Sequence, residues 1–294
     1  MRLLLTGAAG FVGSAVAETA ASRGHEVMGL DRRPGTAAGI VADVTDRAAV
    51  AEAAAGCEAI IHAAAVVGPD PARADPAGAT RINVDGTLAV LEAARAGGQS
   101  VVCVSTATLY GRRHDLAPLD EAGPVDPVSV YDATKLMAET LCEAYAKTFA
   151  TPVASFRTSF VYGLGHSTGD YYVHRLLDGE RLIEDTGAGH PCDFTYVHDL
   201  ALGLVQAAEA GRLPERIYNL SGGVLRTRGD LAAAVLRHFP DATIVHSEGV
   251  DPNRHLRGVC RIERARRDFG YSPRFTLEAG IADMVARGRA QSPA

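Results

Sequence analysis

Net positive charge is missing from this chain. Its 29 Lys and Arg face 35 Asp and Glu, for a formal net charge of −6, and an acidic protein lacks the basic surface that nucleic acids require. Long apolar runs are missing too. No stretch of about 18 apolar residues occurs, so no helical membrane span is expected. The short run Leu3, Leu4, Leu5 before Thr6-Gly7 is too brief for a signal-peptide core, and a cytoplasmic location is expected. Cysteine is sparse: Cys57, Cys103, Cys142, Cys192 and Cys260 are odd in number and include no C-x-x-C pair. That spacing supports neither a disulfide framework nor a zinc site, and no metal is expected. Lysine is the scarcest charge, with only Lys135 and Lys147 among the 29 basic residues.

The chain has 294 residues, 47% apolar and 22% charged, the composition of a soluble enzyme with a sizeable core. In the first half, apolar runs at 2–5, 26–30, 39–42, 59–63, 100–104 and 152–156 alternate with helical patterns at 11–23, 47–55, 84–96 and 131–149. Glycines follow the first three helices as stops. That alternation predicts an α/β fold, a doubly wound parallel sheet with helices on both faces. After about Gly163 the pattern loosens. Helices are expected at 171–178, 197–210, 228–239 and 277–287, and strands at 217–220 and 242–245, while 112–127 reads as a long loop.

Thr6-Gly7-Ala8-Ala9-Gly10-Phe11-Val12-Gly13 lies between the first strand and the first helix. A phosphate needs close backbone approach, free N–H groups and a positive helix end, and a glycine-rich turn in this place provides them. Asp31 ends the second strand, where a carboxylate accepts both ribose hydroxyls of NAD and repels the 2′-phosphate of NADP. Arg32 and Arg33 keep NADP open, since a guanidinium holds that phosphate. Asp43 follows the third strand and either accepts the adenine amino group or caps the next helix.

Tyr131-Asp132-Ala133-Thr134-Lys135 puts a phenol and an ammonium one helical turn apart on one face. A cation there is expected to lower the phenol pKa from near 10 and make Tyr131 a usable acid/base. Ser105-Thr106-Ala107-Thr108 follows the fifth strand at its carboxyl end, where doubly wound sheets bind ligands. A hydroxyl there can bond the substrate oxygen that Tyr131 serves.

Together these residues resemble the extended short-chain dehydrogenase/reductases, in their NAD-dependent epimerase/dehydratase branch. Further segments carry the resemblance: His62-Ala63-Ala64-Ala65, Asn83-Val84-Asp85-Gly86-Thr87, Ser105 to Gly111, and Asp193-Phe194-Thr195-Tyr196-Val197-His198-Asp199. It implies a Rossmann-type fold, with a cofactor domain over 1–165 to which the chain returns at about 194–220. A smaller substrate lobe is expected mainly over 166–294. It implies catalysis by Thr106, Tyr131 and Lys135. Cofactor contacts are implied for Gly7, Gly10, Phe11, Val12, Gly13, Asp31, Arg32, Asp43, Val44, Ala63, Ala64, Ala65, Asn83, Tyr131, Lys135, Phe160 and Val161. Substrate contacts are implied for Thr106, Thr108, Tyr131, Phe160, Cys192 and Arg257.

Three departures narrow the expectation. Family dehydratases carry an acid just after the catalytic hydroxyl, and here Ala107 and Thr108 stand there. Phe160 stands where sugar-nucleotide members carry asparagine, and Cys192 where they carry arginine. Arg175, Arg181, Arg254 or Arg257 are the candidates to replace those anchors. His190 and His198 read as ordinary loop and surface histidines. The expected activity is reversible hydride transfer at a secondary alcohol or ketone of a sugar-like, possibly nucleotide-linked substrate, with epimerase first. A dehydrogenase or ketoreductase of a non-nucleotide sugar or polyol is the alternative, and a non-catalytic nucleotide-sensing scaffold the reading from another class. A homodimer is expected through the helices at 84–96 and 131–149, whose Ala89, Ala93, Ala94, Ala138, Ala144 and Ala146 would permit close approach.

Overall fold

The computed structural model describes residues 1–35, 37, 39–113, 115–165, 175–176, 182–184, 187–247, 249–250 and 256–291. Seven strands form one parallel sheet: β1 (Arg2–Thr6), β2 (Glu26–Asp31), β3 (Ile40–Val41), β4 (Ala59–His62), β5 (Ser100–Thr106), β6 (Val153–Thr158) and, further along the chain, β11 (Ile217–Leu220). Their order is β11-β6-β5-β4-β1-β2-β3, and every pairing is parallel. The order reverses between β1 and β4, which opens a crevice at the carboxyl ends of those strands. β5 and β6 run two residues further than the apolar runs suggest, because ladder pairing continues through Thr106 and Thr158.

The strands read as unbroken apolar runs because both faces are covered. Leu3 and Leu5 point into one core while Leu4 points into the other, and Ile61 and Ile60 divide in the same way. On the first face α1 (Phe11–Ser22) packs beside α7 (Val197–Ala210). On the second, α2 (Arg47–Ala54) and α6 (Val130–Phe149) pack against α5 (Gly86–Gly97). The helix expected from residue 84 begins at Gly86, after a π-helical turn at Arg81–Asp85. Two short helices that apolar periodicity does not announce, α3 (Pro69–Ala74) and α4 (Pro76–Thr80), each open on a proline in the first turn. A missing N–H is harmless there.

The C-terminal half adds short strands β7 (Val161–Tyr162), β8 (Leu182–Glu184), β9 (Pro191–Asp193), β10 (Thr195–Tyr196), β12 (Leu225–Thr227) and β13 (Ile244–His246), with helices α8 (Arg228–Leu236), α9 (Glu263–Phe269) and α10 (Leu277–Gln291). Of these, α9 and most of the two- and three-residue strands have no sequence signal, since so short a segment has no measurable period. The helix expected at 171–178 lies outside the described residues apart from 175 and 176. No helix among the described residues is long and apolar enough to cross a membrane.

The alanines expected at a dimer seam are elsewhere. Ala89, Ala93, Ala94, Ala138 and Ala146 are buried within this chain, where they let α5 and α6 approach each other and the sheet. The outer face of α6 instead exposes Val130, Met137 and Phe149.

One buried ion pair locks α6 to the sheet. Arg157 on β6 donates from Nε to Glu139 Oε1 at 3.0 Å and from Nη2 to Oε2 at 2.8 Å, and Ser105 Oγ on β5 donates to Oε1 at 2.6 Å. The guanidinium also lies over the Tyr110 ring, 4.9 Å from its centroid. Removing one partner strands a buried charge. Glu139→Gln should therefore destabilise the fold by about 3 kcal/mol or more, measured by urea unfolding at neutral pH. A loss within about 0.5 kcal/mol would show that the pair is dispensable.

Candidate active site

The glycine-rich turn is shaped by contact with itself and with the loop after β4. Gly7 has φ +74°, and a Cβ there would lie 2.6 Å from the Ala64 nitrogen. A Cβ on Gly13 would lie 2.0 Å from the Gly7 carbonyl oxygen. These glycines thus let strand, turn and helix close on one another, and the turn then presents the start of α1 to the crevice. Gly10 is the N-cap, no side chain caps the helix, and its first turn holds no acidic residue. An uncapped positive helix end fits the pyrophosphate of a dinucleotide.

Asp31 stands beside the turn. Its Oδ2 accepts the Ala9 N–H at 3.0 Å and its Oδ1 the Arg33 N–H at 2.9 Å. Arg32 and Arg33 are both exposed, and Arg33 turns back to donate to the Ala9 carbonyl at 3.0 Å. The arginine against the turn is therefore Arg33, not Arg32. Asp43 accepts both the backbone N–H and the hydroxyl of Thr45, at 2.9 and 2.7 Å. It does not cap α2, because Asp46 does so through Ala48 and Ala49. Val44 is buried against Gly86, where a Cβ would lie 2.7 Å from its Cγ1.

Ala63, Ala64 and Ala65 form the half-buried loop after β4. Asn83 holds it: its amide oxygen accepts the Val66 N–H at 2.7 Å, and its Nδ2 donates to the Val66 carbonyl and, at 2.9 Å, to Thr134 Oγ1 on α6. Phe11 and Val12 pack on the first core, and the Phe11 ring lies beside Gly163 and Gly165 across the crevice. Val161 is in the β7–β10 ladder opposite Thr195.

His62 is a buried, neutral histidine, and its tautomer follows from proton counting. Thr87 donates its only hydroxyl proton to the Asn83 carbonyl at 2.7 Å, so the 3.1 Å contact with His62 Nε2 requires that Nε2 donate. His62 Nδ1 then accepts from Thr6 Oγ1 at 2.8 Å. Burial, reinforced by the Lys135 charge, pushes its pKa down to about 3.

The catalytic candidates converge at the end of β5. Ser105 faces Glu139, while Thr106, the last residue of β5, is buried with its hydroxyl 3.0 Å from that of Thr108. Lys135 is buried and donates from Nζ to the Val104 carbonyl at 2.6 Å. The expected lowering of the phenol pKa is not what the site produces. Burial pushes Tyr131 up to about 12, with the nearby Thr106 hydroxyl opposing this and the Asp132 charge adding to it. Desolvation outweighs a cation whose ammonium is directed at a backbone carbonyl. Asp132, buried next to Tyr131, accepts a hydrogen bond from Thr108 Oγ1. It lies in plain view within the Tyr-x-x-x-Lys segment, yet nothing in its spacing predicts that contact.

On the substrate side, the departures at Phe160 and Cys192 have a structural counterpart. The Arg228 guanidinium lies 4.3 Å from the centroid of the Phe160 ring. Arg228 is buried at the start of α8, and sequence reasoning passed it over because it sits in no recognisable motif. Burial lowers the Arg257 pKa, and the Asp132 charge opposes this. The Nε atoms of both arginines are buried without a hydrogen-bond partner among the described residues. Cys192 is buried in β9, opposite Arg226. Arg181 and Arg254 lie outside the described residues. His190 is buried, not at the surface, and His198 is half-buried with its pKa lowered by burial.

Residues 3–221 match the model of the NAD dependent epimerase/dehydratase family. The chain belongs to that family. It is 32% identical over 315 residues to a dTDP-glucose 4,6-dehydratase of Streptomyces antibioticus, covering 97% of this chain and 91% of that protein. It is also 27% identical over 330 residues to a 3-beta-hydroxysteroid dehydrogenase of Mycolicibacterium neoaurum, covering 97% and 90%. A UDP-glucose 4-epimerase of Thermus thermophilus, solved in complex with NAD, superposes with a TM-score of 0.86 at 26% identity, covering 99% of this chain and 100% of that one. The doubly wound fold and the NAD dependence of the family agree with the crevice described above.

His62 gives the site a signature in stability. The unfolded chain protonates this ring below its ordinary pKa of 6.5, whereas the folded chain does so only near 3. Its contribution is complete above pH 6.5 and declines as pH falls toward 3. In urea unfolding between pH 7.5 and 4.5, His62→Gln should show a shallower pH dependence than wild type by up to one proton. Coincident slopes would mean that His62 is not held neutral.

Proposed function

We propose that this protein oxidises and re-reduces a secondary alcohol of a nucleotide sugar, as an NAD-dependent epimerase. The observation that carries the reading is that α6 buries Tyr131 and Lys135 against β5, with Lys135 Nζ donating to the Val104 carbonyl at 2.6 Å two residues before Thr106, in the same crevice as the uncapped start of α1. Thr106 would bond the reacting oxygen and Tyr131 would exchange its proton, while Lys135 would hold the nicotinamide ribose. Gly7, Gly10, Phe11, Val12, Gly13, Ala63, Ala64 and Ala65 would line the dinucleotide, with Asp31 on the adenosine ribose and Asp43 and Val44 by the adenine. Bound NAD supplies the hydride acceptor and donor.

Arg228 and Arg257 support an anionic substrate, since a buried and a half-buried guanidinium whose Nε atoms lack a hydrogen-bond partner among the described residues are suited to phosphate oxygens. A cavity of about 280 Å³ opens next to them in sequence, with Leu116, Pro191, Leu225 and Leu256 among its apolar walls and Arg226 and Asp230 as its charged ones. Its apolar walls suit a nucleoside. Residues 1–165 with 194–220 would form the cofactor domain and the remainder the substrate lobe. A homodimer joined through the exposed Met137 and Phe149 face of α6 completes the reading.

Ala107 and Thr108 give β5 no carboxyl group of its own, which favours epimerase over 4,6-dehydratase. The Asp132 carboxylate on Thr108 is the one observation that favours dehydration. The product decides between them. Incubation with UDP-glucose, dTDP-glucose and UDP-glucuronate should yield the 4-epimer without net NADH. A 4-keto-6-deoxy product would establish a dehydratase, and accumulating NADH a dehydrogenase. Tyr131→Phe should lower turnover at least 100-fold, roughly the worth of a general acid/base, with NAD affinity nearly unchanged. Asp31→Ala should erode the preference for NAD over NADP in cofactor titrations, and an unchanged ratio would remove Asp31 from the ribose.

A further inference from the structure

The free edge of the sheet is closed by side chains instead of a further strand. β11 is the outermost strand there, and it carries Asn219, whose exposure is 0%. The Asn219 backbone N–H donates to Glu121 Oε1 at 2.9 Å, its Nδ2 donates to the Leu119 carbonyl at 3.1 Å, and its Oδ1 accepts the Tyr110 hydroxyl at 2.8 Å. A carbonyl only accepts, so the amide nitrogen has to face Leu119. Leu119 in turn holds the segment 256–261. Its N–H donates to the Val259 carbonyl at 2.8 Å, and its carbonyl accepts the Arg261 N–H at 2.9 Å. Further along that segment Leu256 bridges to Arg113. Gly258 approaches residues 116–117 so closely that a Cβ would lie 2.1 Å from the Ala117 carbonyl oxygen. Arg257 thus stands between two fixed points on a segment that belongs to no helix or strand.

The same amide reaches the other half of the site. The Tyr110 ring, whose hydroxyl Asn219 accepts, lies under Arg157 with the guanidinium 4.9 Å from its centroid, and Arg157 is bound to Glu139 on α6. That helix carries Tyr131 and Lys135. One buried node therefore refers both the catalytic helix and the segment bearing Arg257 to the edge of the sheet. We propose that Asn219 is a positioning residue, which sets Arg257 against the catalytic helix and so determines how tightly the phosphates of a nucleotide sugar are held. This rests on the reading of Arg257 as a phosphate contact. Asn219 is fully buried and acts on the ligand through Arg257, not by touching it. A guanidinium on a loose loop gives up backbone freedom when it binds an anion, and that loss is subtracted from the affinity. A segment already fastened at 256, 259 and 261 has given up that freedom in advance.

Calorimetric binding of UDP or dTDP, whichever wild type holds more tightly, tests this without turnover, and NAD is titrated separately. Arg257→Met should weaken the nucleotide at least about tenfold, the loss of a charge-assisted contact. Asn219→Ala should weaken it about fivefold with NAD affinity within about twofold. In the Arg257→Met background, Asn219→Ala should cost less than about a further twofold, because no guanidinium remains to be positioned. An asparagine that only stabilises the fold would weaken nucleotide and NAD alike, or would add its full factor in the double variant. Either result overturns the proposal and leaves Arg257 as a phosphate contact. If Asn219→Ala does not fold, Tyr110→Phe enters the same cycle. It removes only the hydroxyl on Asn219 Oδ1 and keeps the ring under Arg157, so it should weaken the nucleotide in the same direction, and additivity with Arg257→Met again overturns the proposal. Nucleotide affinity unmoved by Arg257→Met would remove the phosphate reading itself, and wild type that binds neither nucleotide would overturn both.

Discussion

The Glu139–Arg157 ion pair is the constraint on which the site depends. Tyr131 and Lys135 are carried by α6, Thr106 by β5, and the pair together with Ser105 fixes the helix to that strand and to β6. Apolar packing alone leaves a helix free to slide or rotate by small steps on a sheet. A bidentate guanidinium–carboxylate contact in a dry interior does not tolerate such displacement, because any slip leaves a buried charge poorly solvated. The helix that carries the phenol and the ammonium sits against the strand that ends in Thr106 because that pair is satisfied in one arrangement. Beyond it, the Tyr110 ring under Arg157 donates its hydroxyl to Asn219 at 2.8 Å, which ties the same node to the outermost strand.

The C-terminal half is organised by carboxylates that bind backbone. Asp193 accepts the N–H groups of Gly223 and Cys260 at 3.2 and 2.8 Å, and burial pushes its pKa up to about 6. Asp199 accepts those of Arg274 and Phe275 at 2.7 and 3.0 Å. Glu121 accepts that of Asn219 at 2.9 Å. Each joins segments far apart in sequence and satisfies donors that short, irregular strands leave open. The acidic residues of the Asp193–Asp199 segment are thus structural pins. They hold the C-terminal segments at 223, 260 and 274–275 in place.

Alternating apolar runs and glycine stops were enough to establish the doubly wound sheet, since strands covered on both faces have a compositional signature and helices a periodic one. Thr106, Tyr131, Lys135 and the glycine-rich turn were legible because each lies in a contiguous segment with recognisable spacing. What only the tertiary structure decided is how these groups act on one another. Burial of Tyr131 overrides the neighbouring ammonium, and Arg228 finds Phe160 from 68 positions away along the chain. Five of the alanines expected at a surface seam turn inward, and Asp132 bonds a threonine that lies just past β5. Electric fields, desolvation and hydrogen-bond direction depend on distances through space. A linear sequence specifies those distances only after the chain has folded.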